Sequence, residues 1–203
     1  MKRVNFAHLN YFSEVNMKQS FVKIILKFFL FSLFFSLLPL QSESSTKDPT
    51  PIVKKMIGFI RYKKNSNALS QIDTETYSSN LLKGEYESLS SDQKKEFEDA
   101  VKLYIENKSF PVALKYFDKV DINYEKPIFK GFFYEIPSSI LYNGSQQIKF
   151  SWILTEKNGS FLISDFLVEN KLTSEVNREK LLAVLKKDGF VKMIEKLRDA
   201  ASK

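Results

Sequence analysis

The chain contains no cysteine, and its single histidine, His8, lies close to the N-terminus. Without cysteine there are no disulfides, so packing alone must hold the folded part together. Beyond His8 the chain offers neither an imidazole nor a thiolate. This excludes the usual zinc sites, Ser-His-Asp triads, Cys-His nucleophiles and haem ligation by His or Cys. Chemistry based on carboxylates or lysine remains open, but the composition does not favour an enzyme.

Glycine is scarce, and the six glycines are scattered, so no phosphate-binding loop is present. Nor is charge of one sign concentrated anywhere. Residues 1–44 hold five of the 31 basic and two of the 24 acidic residues, which leaves the remainder with a net charge of +4. Because these charges are interspersed, the chain lacks the footprint of a nucleic-acid-binding protein. We therefore predict no nucleic-acid partner and no cofactor.

The one long apolar run extends from Phe28 to Leu40, and three lysines precede it. Ser42 and Ser44 follow with the small-x-small spacing of a cleavage site. This order predicts a secretory signal peptide, residues 1–44, cleaved near Ser44, with Met17 as an alternative true start. An uncleaved anchor is the alternative, but thirteen residues of helix reach only roughly 20 Å of a hydrocarbon core of about 30 Å. No cysteine follows the run, which excludes a lipid-anchored lipoprotein.

Residues 45–203 have the length of one domain, and their C-terminal third shows two periods. Residues 147–154 alternate between apolar and polar, as in a half-buried strand. The turn pair Asn158-Gly159 leads to a second strand, in which Phe161, Ile163 and Asp165 alternate with Leu162, Ser164 and Phe166. From Glu175 the period becomes helical, with an apolar stripe comprising Leu181, Leu182, Leu185, Met193, Ile194 and Leu197.

Upstream patterns complete the fold prediction. We expect a basic helix over 52–64, whose face is either solvated or turned to lipid headgroups, and a polar linker over 65–73. Ser90 and Gln93 form a capping box that opens a helix ending near Asn107. Phe110-Pro111 is expected to interrupt the helix, and Val112 to Phe117 to form a final helical turn. A strand containing Phe132, Tyr134 and Ile136 is expected further on. The prediction is an α+β domain with a curved, mostly antiparallel four-stranded sheet, several helices and an apolar pocket between them.

The most suggestive carboxylate pair is Asp165 and Glu169, near a strand end among apolar residues. Such a pair performs acid–base chemistry when burial separates its two pKa values. More often such residues cap the next helix or pair with a cation, for which Arg178 is the candidate. The structural interpretation is the one the sequence favours.

Two stretches resemble a known family. The first is Leu81-Leu82-Lys83-Gly84-Glu85-Tyr86 with Leu89-Ser90-Ser91-Asp92-Gln93-Lys94-Lys95-Glu96-Phe97, and the second is 161–169, FLISDFLVE, with Arg178 nine residues on. Together they are similar to the MlaC-type periplasmic phospholipid-binding proteins, also called the toluene-tolerance family, loosely over Asp48 to Arg198. The departures are Asn170 in place of glycine, Val176-Asn177 in place of asparagine-tyrosine, and Tyr86 in place of tryptophan.

The resemblance implies a soluble periplasmic carrier that holds phospholipid acyl chains between sheet and helices. It also implies shuttling between an inner-membrane ABC transporter complex and an outer-membrane lipoprotein complex, which bears on outer-membrane lipid asymmetry. On this basis the predicted lipid-binding residues are Tyr77, Leu81, Phe97, Val101, Tyr104, Phe132, Tyr134, Phe150, Trp152, Leu154, Leu185 and Met193. Two alternatives stay open: an exported enzyme that uses Asp165 or Glu169, and a non-catalytic envelope interaction protein with a solid core.

Overall fold

A computed structural model describes residues 48–202. The predicted signal peptide, its cleavage near Ser44 and the alternative start at Met17 lie outside the described residues. Within 48–202, no helix combines the length and the apolar character needed to cross a membrane. The helical elements are α1 (Thr50–Arg61), α2 (Asn65–Leu69), α3 (Thr74–Leu82), α4 (Gly84–Glu87), α5 (Ser91–Tyr104), a π-helical segment (Ile105–Ser109), α6 (Phe110–Phe117) and α7 (Thr173–Ser202).

The sheet is antiparallel throughout and follows the order β1-β3-β4-β5-β6, with β2 paired to β3 beside β1. The predicted α+β class is confirmed, although the sheet has six strands rather than four because β2 and β6 are two-residue strands. The strands are β1 (Ile122–Tyr124), β2 (Ile128–Phe129), β3 (Tyr134–Tyr142), β4 (Gln146–Lys157), β5 (Ser160–Val168) and β6 (Lys171–Leu172).

Tight turns join the strands at Asn143-Gly144 and Asn158-Gly159, as the sequence predicts; the first loop also includes Ser145, whereas the second has two residues. All four residues have positive φ, between 51° and 75°. That conformation matches the right-handed twist of the flanking strands and is tolerated by asparagine and glycine. The next turn, Glu169-Asn170, also has positive φ at both residues. Asn170 thus adopts the backbone that glycine supplies in the family pattern, so this departure leaves the turn intact.

A β-bulge in β5 changes which side chains face the core. Ile163 pairs with Leu154, but Asp165 pairs with Ile153, so Ser164 is the extra residue. Because an extra residue reverses the alternation of a strand, Phe166 returns to the face of Phe161 and Ile163. The predicted uninterrupted alternation of this strand is therefore wrong beyond Ile163.

Residues 65–73 form structure rather than the predicted linker. Asn65–Leu69 is helical, and the segment after it runs beside β5. There the amide of Ile163 donates to the carbonyl oxygen of Gln71, and the amide of Asp73 donates to that of Ile163. Polar composition misled the prediction because Gln71 and Asp73 are polar but buried, while the backbone extends the sheet edge.

The predicted interruption at Phe110-Pro111 is also wrong. The chain stays helical from α5 through Ile105–Ser109 into α6, and Pro111 occupies the first turn of α6. Proline lacks an amide donor and its ring crowds the carbonyl four residues earlier. The wider π-helical turn makes room for the ring, and π-helical turns are frequent at functional sites.

The capping box of α5 is confirmed. The amide of Gln93 donates to the hydroxyl of Ser90 at 3.2 Å, and the Gln93 side chain accepts from the Ser90 amide at 3.0 Å. The final helix, α7, packs against α3 and α5. Gly189 divides it, because its φ of 82° and ψ of 174° are not helical.

Candidate functional site

The face of the sheet that meets the helices carries a cluster of four aromatic rings. Phe150 and Trp152 of β4 pack edge-to-face with centroids 5.8 Å apart, and Trp152 lies 4.6 Å from Phe166 of β5. Phe117, at the end of α6, contacts Phe150 at 5.4 Å and Trp152 at 5.9 Å. These distances are those of favourable aromatic pairs, so α6 is held directly on the sheet.

Around the rings lies an apolar shell supplied by both layers. Ile136 of β3 pairs with Trp152 across the strands, and Leu154 sits one position further along the same face. Phe97 from α5 and Met193 from α7 close the shell from the helical side. All four residues of this shell are buried, so sheet and helices enclose a continuous apolar core.

The structure brings together ten of the twelve predicted lipid-binding residues. Tyr104 is half-buried and is not among the residues that pack against the hydrophobic core, and Phe132 is 94% exposed. The strand that was predicted to contain Phe132 begins at Tyr134, so its side chain is not part of the sheet face. The ten that belong to the hydrophobic core or pack against it are Tyr77, Leu81, Phe97, Val101, Tyr134, Phe150, Trp152, Leu154, Leu185 and Met193.

Sequence reasoning missed two members of the aromatic cluster. Phe166 was assigned to the opposite face because the bulge at Ser164 leaves no mark in the alternation pattern. Phe117 ends the helical turn predicted over Val112 to Phe117, but the sequence gives no reason to place it against the sheet. Pro111 at the first turn of α6 is a recognised helix start signal, and it could have placed the start of that helix at Phe110.

One polar atom within the cluster stands out. The indole Nε1–H of Trp152 is buried and has no hydrogen-bond acceptor within residues 48–202. A buried donor without an acceptor is costly, and it is uncommon in native structures. This donor is therefore available to a carbonyl, ester or phosphate oxygen placed at the sheet face.

Asp165 is buried at the edge of the cluster, where its carboxylate caps α7. It accepts hydrogen bonds from the Thr173 hydroxyl at 2.8 Å, the Ser174 hydroxyl at 2.5 Å and the Ser174 amide at 3.3 Å. The Phe166 amide donates a fourth bond at 2.8 Å. The predicted capping role is confirmed; three of the donors reach Oδ1 and the Ser174 hydroxyl reaches Oδ2.

The predicted pairing of this carboxylate with Arg178 is wrong. Arg178 instead donates two hydrogen bonds, at 2.9 and 2.7 Å, to the backbone carbonyl of Asn80 in the last turn of α3. Glu169 is exposed, in the turn after β5. The two carboxylates therefore occupy different surroundings, one buried under donors and the other in solvent.

Tyr77 lies beside this cap and links it to α3. Burial is the main reason that the pKa of its phenol is raised, while the neighbouring side chains of Thr173 and Asn177 oppose the shift. The phenol therefore stays neutral and can donate a hydrogen bond over the whole physiological range. The cap and the phenol are thus polar groups beside the core, to which α3 also contributes Leu81 and Leu82.

Two cavities open on the protein surface away from the aromatic cluster. The larger, about 570 Å³, has Leu69 and Ile72 on one side and Leu103 on the other, with Asp99 and Lys102 at its rim. The smaller, about 200 Å³, lies beside Lys54, Arg61 and Tyr124. None of the twelve predicted residues lines either cavity. Among residues 48–202, no group of three or more metal-ligating side chains is placed to hold an ion.

Comparison with known proteins adds independent findings. No curated protein matches the chain. A phospholipid-binding protein from Ralstonia solanacearum, solved in complex with a phospholipid, has a similar fold. The TM-score is 0.64 at 11% identity, and the match covers 75% of this chain and 94% of that one.

A family model matches by sequence as well. The model for MlaC proteins aligns with residues 48–199, which span the whole described domain except its last helical residues. The match includes the capping-box helix, the sheet and the Asp165 cap, in the order in which the sequence resemblance placed them. This chain belongs to the MlaC family.

Proposed function

We propose that this protein is a periplasmic carrier that binds phospholipid by its acyl chains and releases it unchanged. It would be exported with cleavage near Ser44 and would pass lipid between an inner-membrane ABC transporter complex and an outer-membrane lipoprotein complex. The proposal assigns it no catalysis. Membership of the MlaC family and the fold shared with a phospholipid-binding protein support this proposal.

The observation that carries the proposal is the apolar core packed between the sheet and the helices. Phe150, Trp152 and Phe166 contribute to it from the sheet, and Phe97 and Met193 from the helices. Each methylene of an acyl chain buried there contributes about 0.8 kcal/mol. Two acyl chains therefore supply a large driving force without covalent chemistry or a charged ligand pocket.

Entry of acyl chains requires the layers to separate, because Phe117 of α6 contacts both Phe150 and Trp152. We place the hinge for this movement at the π-helical segment Ile105–Ser109, which joins α5 to α6. The hydrogen bonds of a π-helical turn are irregular, so bending there disrupts less than bending a regular helix. Movement of α6 would expose the ring cluster to the lipid.

The Trp152 indole N–H fits the glycerol end of such a ligand. Acyl chains buried beside the ring would bring an ester carbonyl within reach of the unpaired donor. Making that hydrogen bond removes the desolvation penalty of the free N–H, which is about 1–3 kcal/mol. Lipid would thus be favoured over a plain hydrocarbon at the same surface.

The test compares two substitutions on opposite faces of one strand. Phe166→Asp places a carboxylate on the aromatic face, whereas Leu162→Asp places it on the other face, and both positions are half-buried. We expect purified wild-type protein and the Leu162 variant to yield about one phospholipid per chain by solvent extraction and mass spectrometry. The Phe166 variant should yield little. Equal lipid content in the two folded variants would overturn the proposed site.

Export and exchange need their own measurements. The mass of protein recovered from the periplasm gives the cleavage position, and a chain that retains residues 1–44 there would contradict cleavage near Ser44. Absence of the protein from the periplasm would contradict export. Incubating lipid-loaded protein with each membrane complex and following radiolabelled phospholipid tests the shuttle. Failure of transfer to both complexes, with lipid binding intact, would remove the shuttle but leave the carrier.

A further inference from the structure

The segment Ile128–Glu135 forms a tight hairpin on the edge of the sheet. Ile128 pairs with Glu135 and Phe129 with Tyr134, and the Lys130 amide closes the turn by donating to the Phe133 carbonyl at 2.8 Å. Gly131 and Phe132 are left as the two-residue loop. Gly131 has a φ of +85°, the conformation that the first loop position of a type II′ turn requires. The sequence therefore builds a defined turn with Phe132 at its tip.

This hairpin exposes three large apolar side chains within five residues. Phe132 is 94% exposed, Phe129 55% and Ile128 44%. Isolated exposed apolar residues are ordinary, but a group at the tip of a structured turn marks an interaction site. The group is held in place, because Phe129 packs on Tyr134 with centroids 4.9 Å apart and Tyr134 packs edge-on against the buried Phe161 at 5.2 Å.

Lysines accompany the apolar tip. Lys126 and Lys130 are exposed on either side of Ile128 and Phe129, and Lys54 of α1 lies 5.4 Å from the ring of Tyr124 at the neighbouring end of β1. Two carboxylates oppose them. Glu125 is exposed, whereas Glu135 is half-buried, accepts from the Ser151 hydroxyl and lies 3.9 Å from Lys130. The balance at the tip is weakly positive.

The size of the patch distinguishes between possible occupants. An aromatic side chain buries about 150–250 Å² when covered completely. The exposed area of Ile128, Phe129 and Phe132 together is therefore smaller than the roughly 800 Å² that each partner contributes to a standard protein interface. A lipid surface needs no complementary shape. Aromatic rings settle at its headgroup level, while neighbouring lysines extend to the phosphates.

We propose that the Ile128–Glu135 hairpin docks the protein on a phospholipid bilayer, with Phe129 and Phe132 inserted at the headgroup level and Lys126 and Lys130 against lipid phosphates. This inference deepens the proposed function, since it identifies the surface that faces a membrane during exchange. Vesicle association and retention of bound lipid are separate measurements, so the two proposals fail independently. The column from Phe129 through Tyr134 to Phe161 would join the docked hairpin to the buried core.

The test measures sedimentation of the protein with vesicles of phosphatidylglycerol and, separately, of phosphatidylcholine. We expect the double variant Phe129→Ser/Phe132→Ser to bind roughly tenfold more weakly than wild type to both. Lys126→Glu/Lys130→Glu should weaken binding to phosphatidylglycerol more than to phosphatidylcholine. The matched control is Val176→Ser/Val191→Ser, which removes two exposed apolar side chains from α7 and should bind as wild type does.

A second measurement does not depend on loss of binding. In Phe132→Trp the new indole should be quenched by lipids with brominated acyl chains, beyond the quenching of the buried Trp152. Wild-type protein that does not sediment with either vesicle would overturn the proposal, as would equal binding by the serine variant of the hairpin and wild type. Crosslinking of the hairpin to a membrane protein, in the absence of vesicle binding, would assign it to a protein partner and also overturn the proposal. An unchanged phospholipid content in the serine variant is the expected result for the separate carrier function.

Discussion

The hydroxyl of Ser174 donates a hydrogen bond of 2.5 Å to the carboxylate of Asp165, which lies nine residues earlier in the chain. The contact joins the C-terminal half of β5 to the first turn of α7, across the two-residue turn and the short strand between them. A negative charge at this place also complements the positive end of the helix dipole. The cap thereby fixes the direction in which α7 leaves the sheet.

Replacing Asp165 by asparagine is expected to lower the free energy of unfolding by about 2–4 kcal/mol. The amide keeps one acceptor oxygen and replaces the other with an NH₂ group. Facing the backbone N–H groups of Phe166 and Ser174, that group meets donors that cannot reverse; facing the Ser174 hydroxyl, it forces that hydroxyl to accept instead of donate. Urea denaturation followed by circular dichroism measures the loss. Glu169→Gln, in the exposed turn nearby, is the control and should change stability little. A loss below 1 kcal/mol at Asp165 would contradict the capping interpretation.

The planar guanidinium of Arg178 matters for its geometry, since two of its nitrogens reach one carbonyl oxygen on Asn80. Lysine offers a single point of donation, so Arg178→Lys should cost about 1 kcal/mol of folding free energy. Arg198→Lys is the comparison, because Arg198 makes only an exposed ion pair with Glu96 at 3.1 Å. Thermal denaturation of both variants should show a drop for the first alone. A melting temperature of Arg178→Lys equal to that of wild type would show that the positive charge of Arg178, not its paired donors, matters.

Replacement of glycine by alanine should have opposite effects on stability at Gly189 and at Gly58. Gly189 has a backbone conformation that other residues adopt only with strain, so Gly189→Ala should destabilise the protein by about 1–3 kcal/mol. Gly58 lies inside α1, and a methyl group there meets no atom within 4 Å. Gly58→Ala should therefore stabilise by about 0.5–1 kcal/mol. Finding the same sign for both in urea denaturation would refute the division of α7 at Gly189.

The free energy of unfolding should fall at alkaline pH because the phenol of Tyr124 is partly buried. Burial raises the pKa of Tyr124 to about 12, and the positive charge of Arg61 only partly opposes this shift. In the unfolded chain the phenol ionises near pH 10, so above that pH the unfolded state holds fewer protons than the folded one. The contribution of Tyr124 is therefore present below pH 10 and is lost between about pH 10 and 12.

Tyr124→Phe checks that sign. The variant should show a shallower decline of unfolding free energy with pH over this window, measured by urea denaturation at a series of pH values. Tyr62→Phe is the control, because Tyr62 is 78% exposed in the folded protein. A decline in the Tyr124 variant as steep as that of wild type would assign the alkaline loss to other groups.

Much of the fold could be predicted because local signals agree with their surroundings. The two Asn-Gly turns, the capping box at Ser90 and the helical period after Glu175 each depend on chemistry within a few residues. The predictions failed where the outcome depends on contacts distant in sequence. The backbone of 71–73 joins the edge of β5 about ninety residues on, and no local pattern announces that pairing.

The candidate site shows the same division. Phe150, Trp152 and Leu154 could be predicted because β4 alternates without interruption. Phe166 could not, since the bulge that turns it inward is set by pairing with β4 rather than by its own neighbours. Phe132 was misplaced for a related reason: the turn at Gly131 shortens β3, so an apolar residue that fits the alternation lies outside the strand.

The bulge at Ser164 makes the length of β5 a matter of parity. Changing the residue type at one place in the strand affects one side chain, but removing a residue affects everything after it. Ser164 is the exception: without it, Ile163, Asp165 and Phe166 would pair regularly with Leu154, Ile153 and Trp152, so Ile163 and Phe166 would both stay on the core face. Deleting Leu162 instead would turn Phe161, which precedes it, to the opposite face of the sheet. Loss of a residue from β5 should accordingly be tolerated at the bulge and damaging before it.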